Sequence, residues 1–131
     1  LDVMYDTVPA DLLQTELDTC WVNIGGENPP EYVLKYKGRA PVVHLKDFFK
    51  SPDATNDSMY ELIGVAKKVN ASNAFEFRCV GHGMQNMPPI VAAAEAAGAE
   101  WVIVEQDRPS QGLKPMECAY ISRKYLESIG Y

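Results

Sequence analysis

Trp101-Val102-Ile103-Val104-Glu105 is the stretch that decides how this chain folds. Its four apolar residues are all aromatic or β-branched, and the run is too short for a helix. It reads as a buried strand closed by a carboxylate. Upstream the same arrangement occurs twice more, in Val42-Val43-His44-Leu45-Lys46-Asp47 and in Leu17-Asp18-Thr19-Cys20-Trp21-Val22. Each run is short and apolar, and each carries a hard oxygen or imidazole donor that could ligate a divalent metal: Asp18, His44 or Glu105.

Helical signals lie between these runs. The first strand is expected over residues 15–23, with Ile24-Gly25-Gly26 as its turn. Ahead of it, Thr7 can cap a short amphipathic segment, Pro9 suits a first turn, and Leu12 and Leu13 are read as facing inward. Asn28-Pro29-Pro30-Glu31 opens a helix with Tyr32, Val33 and Tyr36 on one side and Gly38 as its stop. The second strand is expected over residues 41–46, and the polar stretch 47–58 reads as a loop. Ser58-Met59-Tyr60-Glu61 fits a capping box, and Met59, Leu62, Ile63 and Ala66 recur at helical spacing. Residues 75–80 alternate like a short strand and end in the tight turn Gly81-His82-Gly83. Asn86 caps a further helix with Pro88 and Pro89 in its first turn and Gly98 at its end. After the third strand, 101–105, the loop 106–112 leads to a last helix over 114–129, with Cys118, Ile121, Tyr125 and Ile129 inward. Strands alternating with helices imply a parallel sheet. Ligands arriving one per strand, at the carboxyl ends, describe the active face of a (β/α) barrel.

Composition narrows the function classes. The chain has 131 residues, 47% of them hydrophobic and 23% charged, which is an ordinary globular balance with enough length to bury a core. A net charge of −6 argues against nucleic-acid binding, which needs a basic stripe. The basic residues Lys35, Lys37, Arg39, Lys67 and Lys68 are scattered and are read as solvated faces. No apolar run approaches the roughly 18 residues of a spanning helix, so no membrane role is expected. Cys20, Cys79 and Cys118 are odd in number and lack CxxC spacing, which favours reduced thiols and a cytoplasmic setting. The chain has no initiator methionine and opens inside a helical pattern; it reads as a piece of something longer.

At this point the residues resemble a known family. Glu16-Leu17-Asp18-Thr19-Cys20-Trp21-Val22, Gly38-Arg39, Val43-His44-Leu45-Lys46-Asp47, Val80-Gly81-His82-Gly83 and Glu100-Trp101-Val102-Ile103-Val104-Glu105-Gln106-Asp107, in that order, are similar to segments of the sugar phosphate isomerase/epimerase superfamily. These are the xylose-isomerase-like TIM barrels that include inosose dehydratases and ketose 3-epimerases. The resemblance implies an α/β fold, a partial (β/α)8 TIM barrel comprising the last three strand–helix units. Residues 1–131 would then be the carboxy-terminal fragment. It also implies a divalent metal (Mn²⁺, Mg²⁺, Co²⁺ or Zn²⁺) held by Asp18, His44 and Glu105, with a fourth ligand, a Glu, on a strand before Leu1. Where several epimerases place a histidine three residues after the metal Asp, this chain has Trp21. Where the family often has Gly-Glu-Gly, it has Gly81-His82-Gly83.

The chemistry so implied is metal-assisted proton abstraction next to a carbonyl of a sugar or polyol ketone, with Glu105 as the catalytic carboxylate. Trp21, Lys46 and His82 are the substrate-binding candidates, and Phe48 is a further aromatic wall for a sugar. Isomerisation, epimerisation and dehydration all begin with that proton removal. An endonuclease of the related abasic-site class is disfavoured, since two histidines and a charge of −6 do not match its multinuclear site and basic track. The alternative is a non-catalytic barrel fragment acting as an assembly or binding module. Three parallel strands leave open edges, so association is expected, either as a homo-oligomer or with the missing amino-terminal part of the barrel.

Overall fold

Three parallel strands form the centre of the first of two compact units in the computed structural model, which describes residues 1–52, 54 and 75–131. The strands are β1 (Glu16–Asp18), β2 (Val42–Leu45) and β5 (Trp101–Val104). They lie in the order β1-β2-β5, and the register sets Asp18 opposite His44 and Leu45 opposite Val104. The helices of this unit (residues 1–45 and 86–105) are α1 (Asp2–Thr7), α2 (Thr19–Ile24), α3 (Pro29–Lys35) and α4 (Met87–Ala97).

Local chemistry explains the helix ends. Asn28 caps α3 through its side chain, which accepts from the Glu31 N–H, and the prolines occupy the first turn. At the other end of α4, Gly98 takes the left-handed conformation (φ +84°). Its N–H reaches Glu95 O and that of Ala99 reaches Ala94 O, the paired bonds of a Schellman motif. The alanines of α4 let it approach α3 closely. Ala93, Ala94 and Ala97 share a core with Val33, Tyr36, Leu17, Ala40 and Val43.

The amino-terminal helix is tied down by charge. Asp2 accepts from Lys35 at 2.5 Å, from Tyr32 at 3.2 Å and from Tyr36. Arg39, read from sequence as solvated, instead donates to Tyr5 O and Val8 O at 2.7 and 2.8 Å. Leu12, read as inward, is exposed.

The second unit comprises residues 46–85 and 106–131. Strands β3 (Asp47–Lys50) and β4 (Phe75–Arg78) pair antiparallel, with Phe48 opposite Phe77. This corrects the expected loop at 47–50. Phe48 is a core residue, buried and stacked on Phe75 at 5.3 Å between centroids, rather than a sugar wall. Helix α5 (Pro115–Ser128) buries Cys118, Ser122 and Leu126. Cys118 forms a disulfide with Cys79, so only Cys20 is a free thiol, contrary to the expectation of three reduced cysteines. Thirty-nine residues separate the pair in sequence, and their Cα atoms stand 5.3 Å apart in the fold. The helix expected from Ser58 lies outside the described residues. Among those residues no helix is long and apolar enough to cross a membrane.

Candidate metal centre

Two further departures from the sequence reading concern the strands themselves. β1 stops at Asp18, and residues 19–24 are helix, not strand. The cause is Asp18, whose Oδ1 accepts from the N–H groups of Cys20 (2.8 Å) and Trp21 (3.2 Å) and so caps α2. The hydroxyl of Thr19 donates to His44 O at 2.8 Å, anchoring the start of that helix to β2. The second departure is that Trp101, Val102 and Ile103 of β5 are exposed by 66%, 38% and 42% rather than buried.

The three ligand candidates meet in the first unit. Asp18 ends β1, His44 is the third residue of β2, and Glu105 follows β5, so all three lie at the carboxyl ends of neighbouring strands. Glu105 stays in register beyond its strand because its N–H donates to Leu45 O at 3.2 Å. One ligand atom from each of Asp18, His44 and Glu105 lies within 4.8 Å of the others. All three are half-buried, and His44 Nδ1 stands 2.7 Å from Glu105 Oε2.

Glu16 went unnoticed as a site residue in the sequence. Its carboxylate pairs with His44 Nε2. The signal was available: Glu16 and Asp18 are two residues apart on one strand, and so share a face.

The substrate-binding candidates fall in both units. Trp21, now on α2, lines a cleft of about 410 Å³ together with Glu16, Asp18, Glu27 and Tyr32. Lys46 and His82 belong to the second unit. Lys46 is buried, its ammonium 2.6 Å from Asp107 and 4.8 Å from the centroid of Phe77. His82 sits exposed in its glycine turn, with its ring edge-on to Tyr125 at 6.3 Å. That turn is held by Asp47, fully buried, whose carboxylate accepts from the N–H groups of Phe48, Gly81, Gly83 and Gln85. Sequence reading placed Asp47 at the end of the second run and the start of a loop, and gave it no part in this turn.

No family model matches the sequence. Relatives do. The chain is 28% identical over 128 residues to an inosose dehydratase of Clostridium botulinum, a match covering 97% of this chain and 41% of the relative. It is 26% identical over 131 residues to an inosose dehydratase of Lacticaseibacillus casei, covering 98% and 42%. The chain thus spans about two fifths of the length of the relatives it matches. Among solved structures it superposes on a sugar phosphate isomerase/epimerase from Parabacteroides distasonis with a TM-score of 0.66 and 22% identity, over 97% of this chain and 35% of that one. In fold the chain resembles a sugar phosphate isomerase/epimerase, and in sequence the inosose dehydratases, both of the xylose-isomerase-like TIM-barrel superfamily.

Proposed function

We propose that this chain is the metal-carrying part of a divalent-metal-dependent sugar or sugar-phosphate isomerase/epimerase-type enzyme that works by proton abstraction next to a carbonyl. The observation behind this reading is the meeting of Asp18, His44 and Glu105 at one end of three parallel strands. The donor set fits a divalent ion. Two carboxylates and an imidazole, with no thiolate among them, suit Mn²⁺, Mg²⁺, Co²⁺ or Zn²⁺. Ligand atoms around an ion with bonds of about 2.1 Å stand roughly 3–4 Å apart. Atoms already within 4.8 Å of one another need only small side-chain rotations to reach that spacing. When bound, such an ion supplies Lewis-acid polarisation of the substrate carbonyl.

The chain's own residues do the rest. Asp18 is oriented by its cap. Glu105, partly open to solvent, removes the proton beside the carbonyl. Trp21 offers an aromatic face to the C–H face of a sugar or polyol ketone. Lys46 and His82 are proposed as further substrate contacts; for Lys46, a substrate oxygen would have to share or replace Asp107. The exposed apolar strand β5 has one strand neighbour, β2, among the described residues. It suits continuation of the sheet by the remaining strands of a (β/α)8 barrel or by a second copy.

The test is a screen of keto-sugars and inososes with Mn²⁺, Co²⁺ or Mg²⁺, repeated with Glu105→Gln. Activity is expected to vanish on chelation, and the Gln variant to lose at least about 10²-fold in turnover while unfolding at a near-normal temperature without metal. Full activity in metal-free buffer would refute the metal dependence. Near-normal turnover of Glu105→Gln would remove Glu105 from the chemistry.

A further inference from the structure

We infer that Glu16 is a positioning residue for His44: it accepts the Nε2–H of the imidazole and thereby turns Nδ1 toward Asp18 and Glu105. The inference rests on the metal-centre reading above and adds a residue to it. Glu16 opens β1 and Asp18 closes it, so the period of two puts both side chains on one face. The register sets Asp18 opposite His44 and Glu16 opposite Val42, which makes Glu16 the diagonal neighbour of His44.

The imidazole thus lies between two carboxylates, with Glu16 at Nε2 and Glu105 at Nδ1. Its nitrogens cannot play the same part when a cation is held. One presents its lone pair and the other keeps its hydrogen, and the partner of the hydrogen decides which is which. Glu105 converges with Asp18 and His44 within 4.8 Å, whereas Glu16 stands outside that set. Nδ1 is therefore the nitrogen on the cation side, and Nε2–H belongs to Glu16. Exposure agrees with this division. The Glu16 side chain is 54% exposed against 21% for His44, so its charge stays solvated while it orients a more buried ring. An acceptor in this role fixes tautomer and ring orientation and raises ligand basicity, and its loss commonly weakens metal affinity about 10–100-fold.

Calorimetric titration with Mn²⁺ of the purified protein and of its Glu16→Ala, Glu16→Gln and Asp18→Asn variants tests the inference. ¹⁵N-imidazole spectra with Zn²⁺ accompany it, recorded on a His82→Gln background that leaves His44 as the sole histidine. The parent is expected to bind Mn²⁺ and to show Nε2 protonated with Nδ1 on the metal. Glu16→Ala should lose about 10–100-fold in affinity together with that single-tautomer signature. Glu16→Gln, whose carbonyl still accepts a hydrogen bond, should recover most of both. Unchanged affinity in Glu16→Ala, with binding abolished in Asp18→Asn, would overturn the role of Glu16 and leave the metal centre standing. Equal losses in the Ala and Gln variants would overturn it in favour of Glu16 as a ligand. A parent that binds no Mn²⁺ would overturn the metal centre itself, and the positioning role with it.

Discussion

Replacing Asp47 with asparagine keeps the shape of the side chain and removes half of what it does. The Asp47 carboxylate is fully buried in the second unit. Its Oδ1 accepts from Phe48 N (2.9 Å) and Gln85 N (3.1 Å), and its Oδ2 from Gly81 N (3.0 Å) and Gly83 N (2.8 Å). An ionised carboxylate can take all four because it only accepts; an amide has one accepting oxygen and a donating NH₂. In either orientation that NH₂ faces two backbone N–H groups, so at least two bonds are lost. At about 1.5–3 kcal/mol for each bond to a charged acceptor, the loss is about 3–6 kcal/mol. That is a large share of the roughly 5–15 kcal/mol that keeps a domain folded. A fall in unfolding temperature of roughly 10–20 °C follows. Urea unfolding by circular dichroism measures the free energy, and hydrogen exchange at the amides of Gly81, Gly83 and Gln85 localises it. A destabilisation below about 1 kcal/mol, less than one bond of this kind, with all three amides still protected, would refute the reasoning.

Other expectations follow from single contacts. Gly81 has φ +84°, and a Cβ there would overlap the Tyr125 ring. Gly81→Ala is therefore expected to cost about 2–4 kcal/mol from backbone strain and overpacking together, measured by urea unfolding, with partial rescue by Tyr125→Leu. Asp2 is held at a pKa of about 2, chiefly by its hydrogen bond from Lys35 and then by that from Tyr36. A depressed carboxylate pKa stabilises above the unfolded value near 3.8, and the benefit fades as pH falls toward 2. Thermal scans from pH 5 to pH 2 should show a steeper loss in the parent than in Asp2→Asn, and equal slopes would count against the Asp2 contacts.

The elements legible from sequence are those whose signals are local. Proline and asparagine at the start of α3 and α4, and glycine after each, bracket helices that form within about two residues of where the pattern puts them. The parallel strands showed through β-branched runs, and the meeting of Asp18, His44 and Glu105 followed from their place at the strand ends. What escaped was decided by distant groups. Residues 19–22 have strand-like composition, yet the Asp18 cap and the tie from Thr19 to His44 O turn them into helix. Phe48 and Phe49 read as loop because their pairing partners, Phe77 and Glu76, lie more than 25 residues further along. The Cys79–Cys118 disulfide had no signature in spacing, since cysteine connectivity is set by the fold.

The same bonds that spoiled the reading of β1 build the candidate site. Asp18 is held by two amides at the start of α2, and that helix is fastened through Thr19 to the carbonyl of His44 itself. The backbone of Glu105 is fastened to Leu45, the residue after His44. Each candidate ligand is thus linked by hydrogen bonds to the strand that carries the next, and the sheet sets the backbone of the cluster. Groups fixed on rigid elements in this way are preorganised for a cation or a substrate and lose little freedom on binding it. The backbone alone does not determine the orientation of the histidine ring, because rotation about its side-chain bonds would carry Nδ1 away from Glu105. Its partner Glu16, on the same strand as Asp18, supplies that missing restraint.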